Sequence, residues 1–252
     1  MPGSPEFYAE LSSFVPYNEH SWDFDYVRPL LKRTHSVLDV ACGKGAFLRS
    51  IVDSVGAAIG IDTNPAAVSD RSDDKLRIYN QSVEDFSVTH HEEFDCVSAF
   101  QVVEHLGSIM PFVSAAYGCV KPGGLLVISV PNRARRRAPG FESLDYPPHH
   151  LSRWAENHLS MIAEILDAEL LSIAKEPLNK SQTIGALRIK ELPELLPARF
   201  AGREFILKVM SRLPLTFPLS LVWRRLKIAE RLGMYGMSMV AIIRKPSTRL
   251  QT

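Results

Sequence analysis

The chain has 252 residues, 46% of them hydrophobic and 23% charged, with a formal net charge of +1. That length allows one sizeable buried core, and the near-neutral balance excludes a whole-molecule field drawing it to nucleic acid or membrane. Cys42, Cys96 and Cys119 lack metal-like spacing, no secretory signal opens the chain, and no apolar run nears the roughly 20 residues of a spanning helix. A cytoplasmic protein is expected.

Residues 1–35 are expected to form an N-terminal helical segment, because Val27, Leu30 and Leu31 have helical spacing. Ser36–Val40 is predicted as a strand and Ala46–Val55 as a helix. Ala57–Ile61 is a second strand, with Asn64-Pro65 opening another helix. Leu76–Tyr79 and Phe94–Phe100 are predicted as strands, and a helix is expected from about Ser108 to Val120. Lys121-Pro122-Gly123-Gly124 is expected as a turn before the apolar strand Leu125–Val130. A helix near Ala155–Leu166 and a strand near Glu169–Ala174 follow, completing a core over residues 36–178. Residues 179–233 are leucine-rich, basic and interrupted by Pro193, Pro197, Pro214 and Pro218, so a helical insertion over the acceptor site is expected there. A last strand near Met237–Arg244 closes the chain within residues 234–252. Strand–helix alternation with apolar strands predicts an α/β fold, a doubly wound and mostly parallel sheet.

Ligands of such a sheet bind outside the carboxyl ends of its strands. Polar residues stand at those ends in chain order. Asp39 precedes the turn Ala41-Cys42-Gly43-Lys44-Gly45, where glycines let backbone approach a ligand. A dinucleotide motif requires a third glycine where this chain has Leu48. Asp62 and Thr63 end the second strand, where a carboxylate suits ribose hydroxyls. Ser82, Val83 and Glu84 follow the third strand and suit an adenine edge, and Phe100-Gln101 ends the fourth.

From Ser36 to Asn132 these pieces, with Val103-Glu104-His105-Leu106 and Val120-Lys121-Pro122-Gly123-Gly124, resemble the class I S-adenosylmethionine-dependent methyltransferases. Val103-Glu104-His105-Leu106 resembles the small-molecule O-methyltransferase branch, with a core like that of the ubiquinone pathway. The resemblance implies a seven-stranded Rossmann-like sheet whose last strand is antiparallel, with S-adenosyl-L-methionine as cofactor. It implies that Gly43 and Gly45 support the methionine moiety, Asp62 the ribose and Val83-Glu84 the adenine, with Gln101 near the transferred methyl.

His105, His149 and His150 are the candidate catalytic residues, since imidazole can accept a proton from a hydroxyl acceptor near neutral pH. Glu104 with these histidines also resembles the metal set of small-RNA 3′-terminal 2′-O-methyltransferases. There Gln101 replaces an expected acid, and no metal ligand is assigned. The bland alternative makes Glu104, His105 and His149 helix caps and loop braces. Arg133 and Arg136, in the run that also holds Arg135 and Arg137, are candidate anion contacts, with Tyr146 and Trp154 as further substrate contacts. The expected acceptor is a small or lipid- or nucleotide-linked anionic metabolite such as a sugar. Nucleic acid is not the expected partner, peripheral contact with anionic lipid is compatible with the insertion, and a monomer or homodimer is expected. The competing functions are metal-assisted RNA 2′-O-methylation and a catalytically silent cofactor-binding scaffold.

Overall fold

The computed structural model describes residues 21–65, 76–133, 135, 147, 149–178 and 235–247. Seven strands form one sheet in the order β3-β2-β1-β4-β5-β7-β6. They are β1 (Ser36–Val40), β2 (Ala57–Asp62), β3 (Leu76–Asn80), β4 (Phe94–Phe100), β5 (Val120–Pro131), β6 (Glu169–Lys175) and β7 (Ser238–Arg244). The described helices are α1 (Trp22–Val27), α2 (Ala46–Ile51), α3 (Val83–Thr89), α4 (Ile109–Gly118) and α5 (Glu156–Ile165). β1 pairs in parallel with β2 on one side and β4 on the other. β7 runs antiparallel to β5, with Ile128 opposite Ala241. The expected seven-stranded α/β sheet is therefore present.

Alternate residues of the central strands β1, β4, β5 and β7 enter two separate cores, which is why those strands are apolar over most of their length, while the edge strands β3 and β6 carry polar residues. Leu38, Val97, Leu126 and Ile128 face the side covered by Phe86 of α3, Phe112 of α4 and Leu159 of α5. Val37, Cys96, Val127 and Val240 face the other side, with Phe47, Leu48 and Ile51 of α2 and Val27 of α1.

Two expected boundaries moved. The helix predicted over 46–55 stops at Ile51, and a short 3-10 turn, Val52–Ser54, replaces its end. The predicted turn Lys121–Gly124 lies within β5, where pairing to β4 skips from Phe94–Val120 to Cys96–Leu125. Its backbone is claimed by the far end of the chain: Gly123 N–H donates to the Lys245 carbonyl and Lys245 N–H to the Gly124 carbonyl, each at 2.9 Å. Gly123 makes this bulge with φ of 79°.

The described residues fall into two units. One holds the sheet up to Pro131, residues 147 and 149–174, and Ser238 onward; the other holds Asn132, Arg133, Arg135, residues 175–178 and 235–237. In the second unit, Asn132 N–H donates to the Met237 carbonyl and Met237 N–H to Glu176 Oε2. The expected insertion over 179–233 lies outside the described residues. Among the described residues, no helix is long and apolar enough to cross a membrane.

Candidate active site

β1 and β4 are neighbours, but their helices leave on opposite faces, so their carboxyl ends open a crevice at the sheet edge. The chain leaves β1 through left-handed residues, with φ of 55° at Ala41, 52° at Gly43 and 74° at Gly45. Cys42 N–H donates to the Ile61 carbonyl at 3.1 Å, which ties this turn to β2. A Cβ on Gly45 would stand 2.8 Å from Ile78 Cδ1, a side-chain end that can shift, so it is the φ of 74° that calls for glycine. A Cβ on Gly43 would meet nothing within 4 Å, which leaves that flank open to a ligand.

Asp62 holds the turn in shape. Its Oδ2 accepts Gly43 N–H and its Oδ1 accepts Asn64 N–H, both at 2.8 Å. Each carboxylate oxygen has a second lone pair, so the same group can still accept two ribose hydroxyls. Asp39 is buried and accepts a hydrogen bond from Ser98 Oγ at 2.7 Å. Burial pushes its carboxyl up to about 7; Ser98 opposes the shift, and the charges of Asp23 and Asp62 add to it. Burial, with the charges of Asp39 and Asp62, also pushes the Cys42 thiol well up, so it is a neutral packing group rather than a nucleophile.

The other expected cofactor contacts are placed as follows. Thr63 is exposed beside Asp62. Ser82 is the N-cap of α3: its Oγ accepts Asp85 N–H at 3.2 Å and donates to Asp85 Oδ2 at 2.7 Å. Val83 is buried and Glu84 exposed. The Phe100 ring is committed to packing, with centroids 4.9 Å from Phe24 and 4.7 Å from Phe47. Gln101 takes a φ of 52°, which is rare for a side-chain-bearing residue. Its Nε2 donates to Ser129 Oγ at 2.7 Å, and that hydroxyl donates to Asp23 Oδ2 at 2.6 Å.

Sequence reasoning missed Asp23, which is 1% exposed on α1. An acid set among Trp22, Phe24 and Tyr26 was the available signal, since so apolar a setting buries its neighbours.

The three candidate catalytic histidines come together. After β4 a 3-10 turn, Val103–His105, presents His105, and the loop around His149 and His150 docks on it. Leu151 and Ser152 N–H both donate to the Glu104 carbonyl, at 2.8 and 3.1 Å. His105 Nδ1–H donates to the His149 carbonyl at 2.8 Å, which fixes that tautomer and leaves Nε2 with a lone pair. Ring centroids lie 4.7 Å apart for His105–His149, 4.9 Å for His105–His150 and 4.7 Å for His149–His150. Burial lowers the pKa values of His105 and His149, so both imidazoles are neutral near pH 7. Glu104 is buried, with Oε1 3.8 Å from His105 Nε2.

The expected substrate contacts come together less clearly. Trp154 is buried in the core beside Leu159 and Ile162, and its Nε1–H donates to Ser152 Oγ at 3.0 Å. It supports the histidine loop from beneath. Arg133 is half-buried in the second unit, and Arg135 Nη1 donates to the Asn132 carbonyl at 2.9 Å. Arg136, Arg137 and Tyr146 lie outside the described residues.

A profile described as a methyltransferase domain matches residues 17–173. The chain belongs to this methyltransferase family. The methyltransferase is 34% identical over 104 residues to the ubiquinone biosynthesis O-methyltransferase of Hydrogenovibrio crunogenus, a match spanning 39% of this chain and 43% of that one. It is 28% identical over 168 residues to the protein of that name from Aromatoleum aromaticum, covering 59% and 71% of the two chains. Among solved structures it is similar to an S-adenosylmethionine-dependent methyltransferase from Archaeoglobus fulgidus, with TM-score 0.63, 18% identity and coverage of 95% and 100%. It is also similar to Haemonchus contortus phosphoethanolamine N-methyltransferase 2, solved with S-adenosylhomocysteine, with TM-score 0.51, 17% identity and coverage of 97% and 53%. These structural likenesses speak for the fold. S-adenosylmethionine is the cofactor, and the open flank of Gly43 and the spare lone pairs of Asp62 fit its amino-acid and ribose portions.

Proposed function

We propose that this methyltransferase methylates an oxygen, with the cofactor along the carboxyl ends of β1 to β4 and the acceptor hydroxyl facing the histidine cluster. One observation carries the reading: three imidazoles, two of them held neutral by burial, converge just past the strand end that bears Gln101. The relatives named ubiquinone biosynthesis O-methyltransferase support oxygen as the acceptor atom. S-adenosylmethionine supplies a methyl group already activated on a sulfonium, so the chain's work is alignment and proton removal. As the acceptor oxygen bonds to the methyl carbon, the carbon–sulfur electron pair stays on sulfur and an imidazole of the cluster takes the hydroxyl proton. Such a base contributes on the order of 10²–10⁴-fold. Asp62 and the glycine turn hold the nucleoside still meanwhile.

The acceptor is a small or lipid- or nucleotide-linked metabolite, and the run of Arg133, Arg135, Arg136 and Arg137 in the sequence supports a negative charge on it. The experiment is turnover with S-adenosylmethionine and a panel of phenolic, sugar and carboxylate-bearing alcohols, read as S-adenosylhomocysteine released. Cofactor binding without release on any hydroxyl would favour the silent scaffold.

The cluster also favours a second reading. The ligand nitrogens of His105, His149 and His150 all lie within 4.8 Å of one another, a spacing three donors to one divalent ion can reach. In that case the site polarises the hydroxyl as metal-assisted RNA 2′-O-methylation does. Full turnover after exhaustive chelation rules this reading out, and loss restored by zinc or magnesium supports it.

A further inference from the structure

Three carboxylates lie near one another at the carboxyl edge of the sheet, with Asp23 and Asp62 close enough to Asp39 for their charges to act on it. Asp23 and Asp39 are buried and Asp62 is half-buried. Among the described residues, no lysine or arginine forms an ion pair with any of them. Negative charge drawn out of water in this way is costly until a cation arrives to balance it.

Asp23 is fixed between α1 and β5. Its Oδ1 accepts Phe24 N–H at 3.1 Å and its Oδ2 accepts Ser129 Oγ–H at 2.6 Å. Ser129 in turn accepts Gln101 Nε2–H at 2.7 Å, so one relay joins the acid to the residue that ends β4. Gln101 keeps its left-handed backbone inside this relay, a strain that proteins retain where function over-determines the conformation.

S-adenosylmethionine and S-adenosylhomocysteine share adenine, ribose and amino acid. They differ by one methyl group and the positive charge it places on sulfur. We propose that Asp23 is a specificity-determining residue of the cofactor site, whose carboxylate favours the cationic methyl donor over the neutral product, while its bond to Ser129 positions the Gln101 amide. The charge assists loading, and its loss from sulfur after transfer assists release. The inference rests on the strand edge being the cofactor site.

A purely structural Asp23, needed only to fasten α1 to β5, requires hydrogen-bond acceptors for Phe24 and Ser129 but no charge, and losing one of them in D23N would weaken both cofactors alike. The D23N variant of the full chain separates the two roles by calorimetric titration with both cofactors and with a non-reactive analogue bearing a protonated amine at the sulfur position. The expected result is about tenfold weaker binding of the donor and the cationic analogue, with product affinity unchanged. D23E should restore the preference. Ser129→Ala should keep the donor-to-product ratio while lowering turnover. Equal weakening of donor and product in D23N overturns the inference, as does an unchanged ratio. If D23N does not fold, Asp23→Ser gives the same ratio readout with a smaller neutral acceptor. A wild-type chain that binds neither cofactor would overturn the cofactor placement itself. Normal wild-type binding with an indifferent D23N would overturn the role of Asp23 alone.

Discussion

The proposed cofactor edge and the proposed acceptor side of this methyltransferase are built on different principles. At the cofactor edge, short stretches fold their own sites: the Ala41–Gly45 turn depends on its own φ angles, and Asp62 reaches it from the adjacent strand. On the acceptor side, nothing is local. His105 meets His149 across 44 residues, and the loop is held by two backbone bonds to Glu104. A site made from strand ends serves one invariant ligand, whereas a site made from a docked loop can change acceptor without disturbing the sheet.

The comparison breaks most sharply at Asp62. Asp62→Ala should weaken S-adenosylmethionine binding by about 2–4 kcal/mol, because it removes charge-assisted bonds to ribose and releases Gly43 and Asn64 as well. Unchanged affinity by calorimetry refutes the ribose assignment. Next in size, His149→Ala and His150→Ala should each lower kcat by on the order of 10²-fold with cofactor affinity untouched. Wild-type rates in both would clear the loop of a catalytic role.

Protonation sharpens the contrast. His105 and His149 are depressed from the ordinary 6.5 by burial, so the acid limb of kcat should fall below pH 6.5, where these imidazoles charge and cease to accept protons. Asp39 behaves in the opposite way. The folded chain keeps its proton up to about 7, whereas the unfolded carboxyl releases it near 3.8, so this group's contribution to stability falls as pH rises through that window. A bound sulfonium favours the ionised form. Cofactor affinity should therefore rise about fivefold from pH 6 to 7 and about twofold more by pH 8, with proton release on binding. A flat profile would show that Asp39 does not sense the cofactor. Smallest of all, Arg133→Ser should raise the KM for an anionic acceptor about threefold if the arginine run contributes to acceptor binding; a change in stability alone ends that assignment.

Much of the sheet was legible in the sequence because its signals are local. The strand Phe94–Phe100 appears with the predicted ends, and the polar residues proposed as cofactor contacts lie at the carboxyl ends of β1 to β4 in chain order. Lys121–Gly124 was misread because proline and two glycines signal a turn, while the partner that draws them into β5 is Lys245, far along the chain. Asp23 was not legible for the same reason: its partner Ser129 lies 106 residues away. Trp154 looked like a substrate contact in a histidine loop, yet its ring is core, and only burial distinguishes the two.

The aromatic contacts of α1 carry a practical consequence. Phe24 packs its ring 5.3 Å from Phe47 and 4.9 Å from Phe100, and Trp22 stacks on Tyr26 one turn along the same helix. Phe100 ends β4 next to Gln101, so a nucleoside seated as proposed at that edge should perturb the indole through this aromatic stack. The part of the emission that Trp22→Phe removes should then change on titration with S-adenosylmethionine, without a label and without any acceptor in the cuvette.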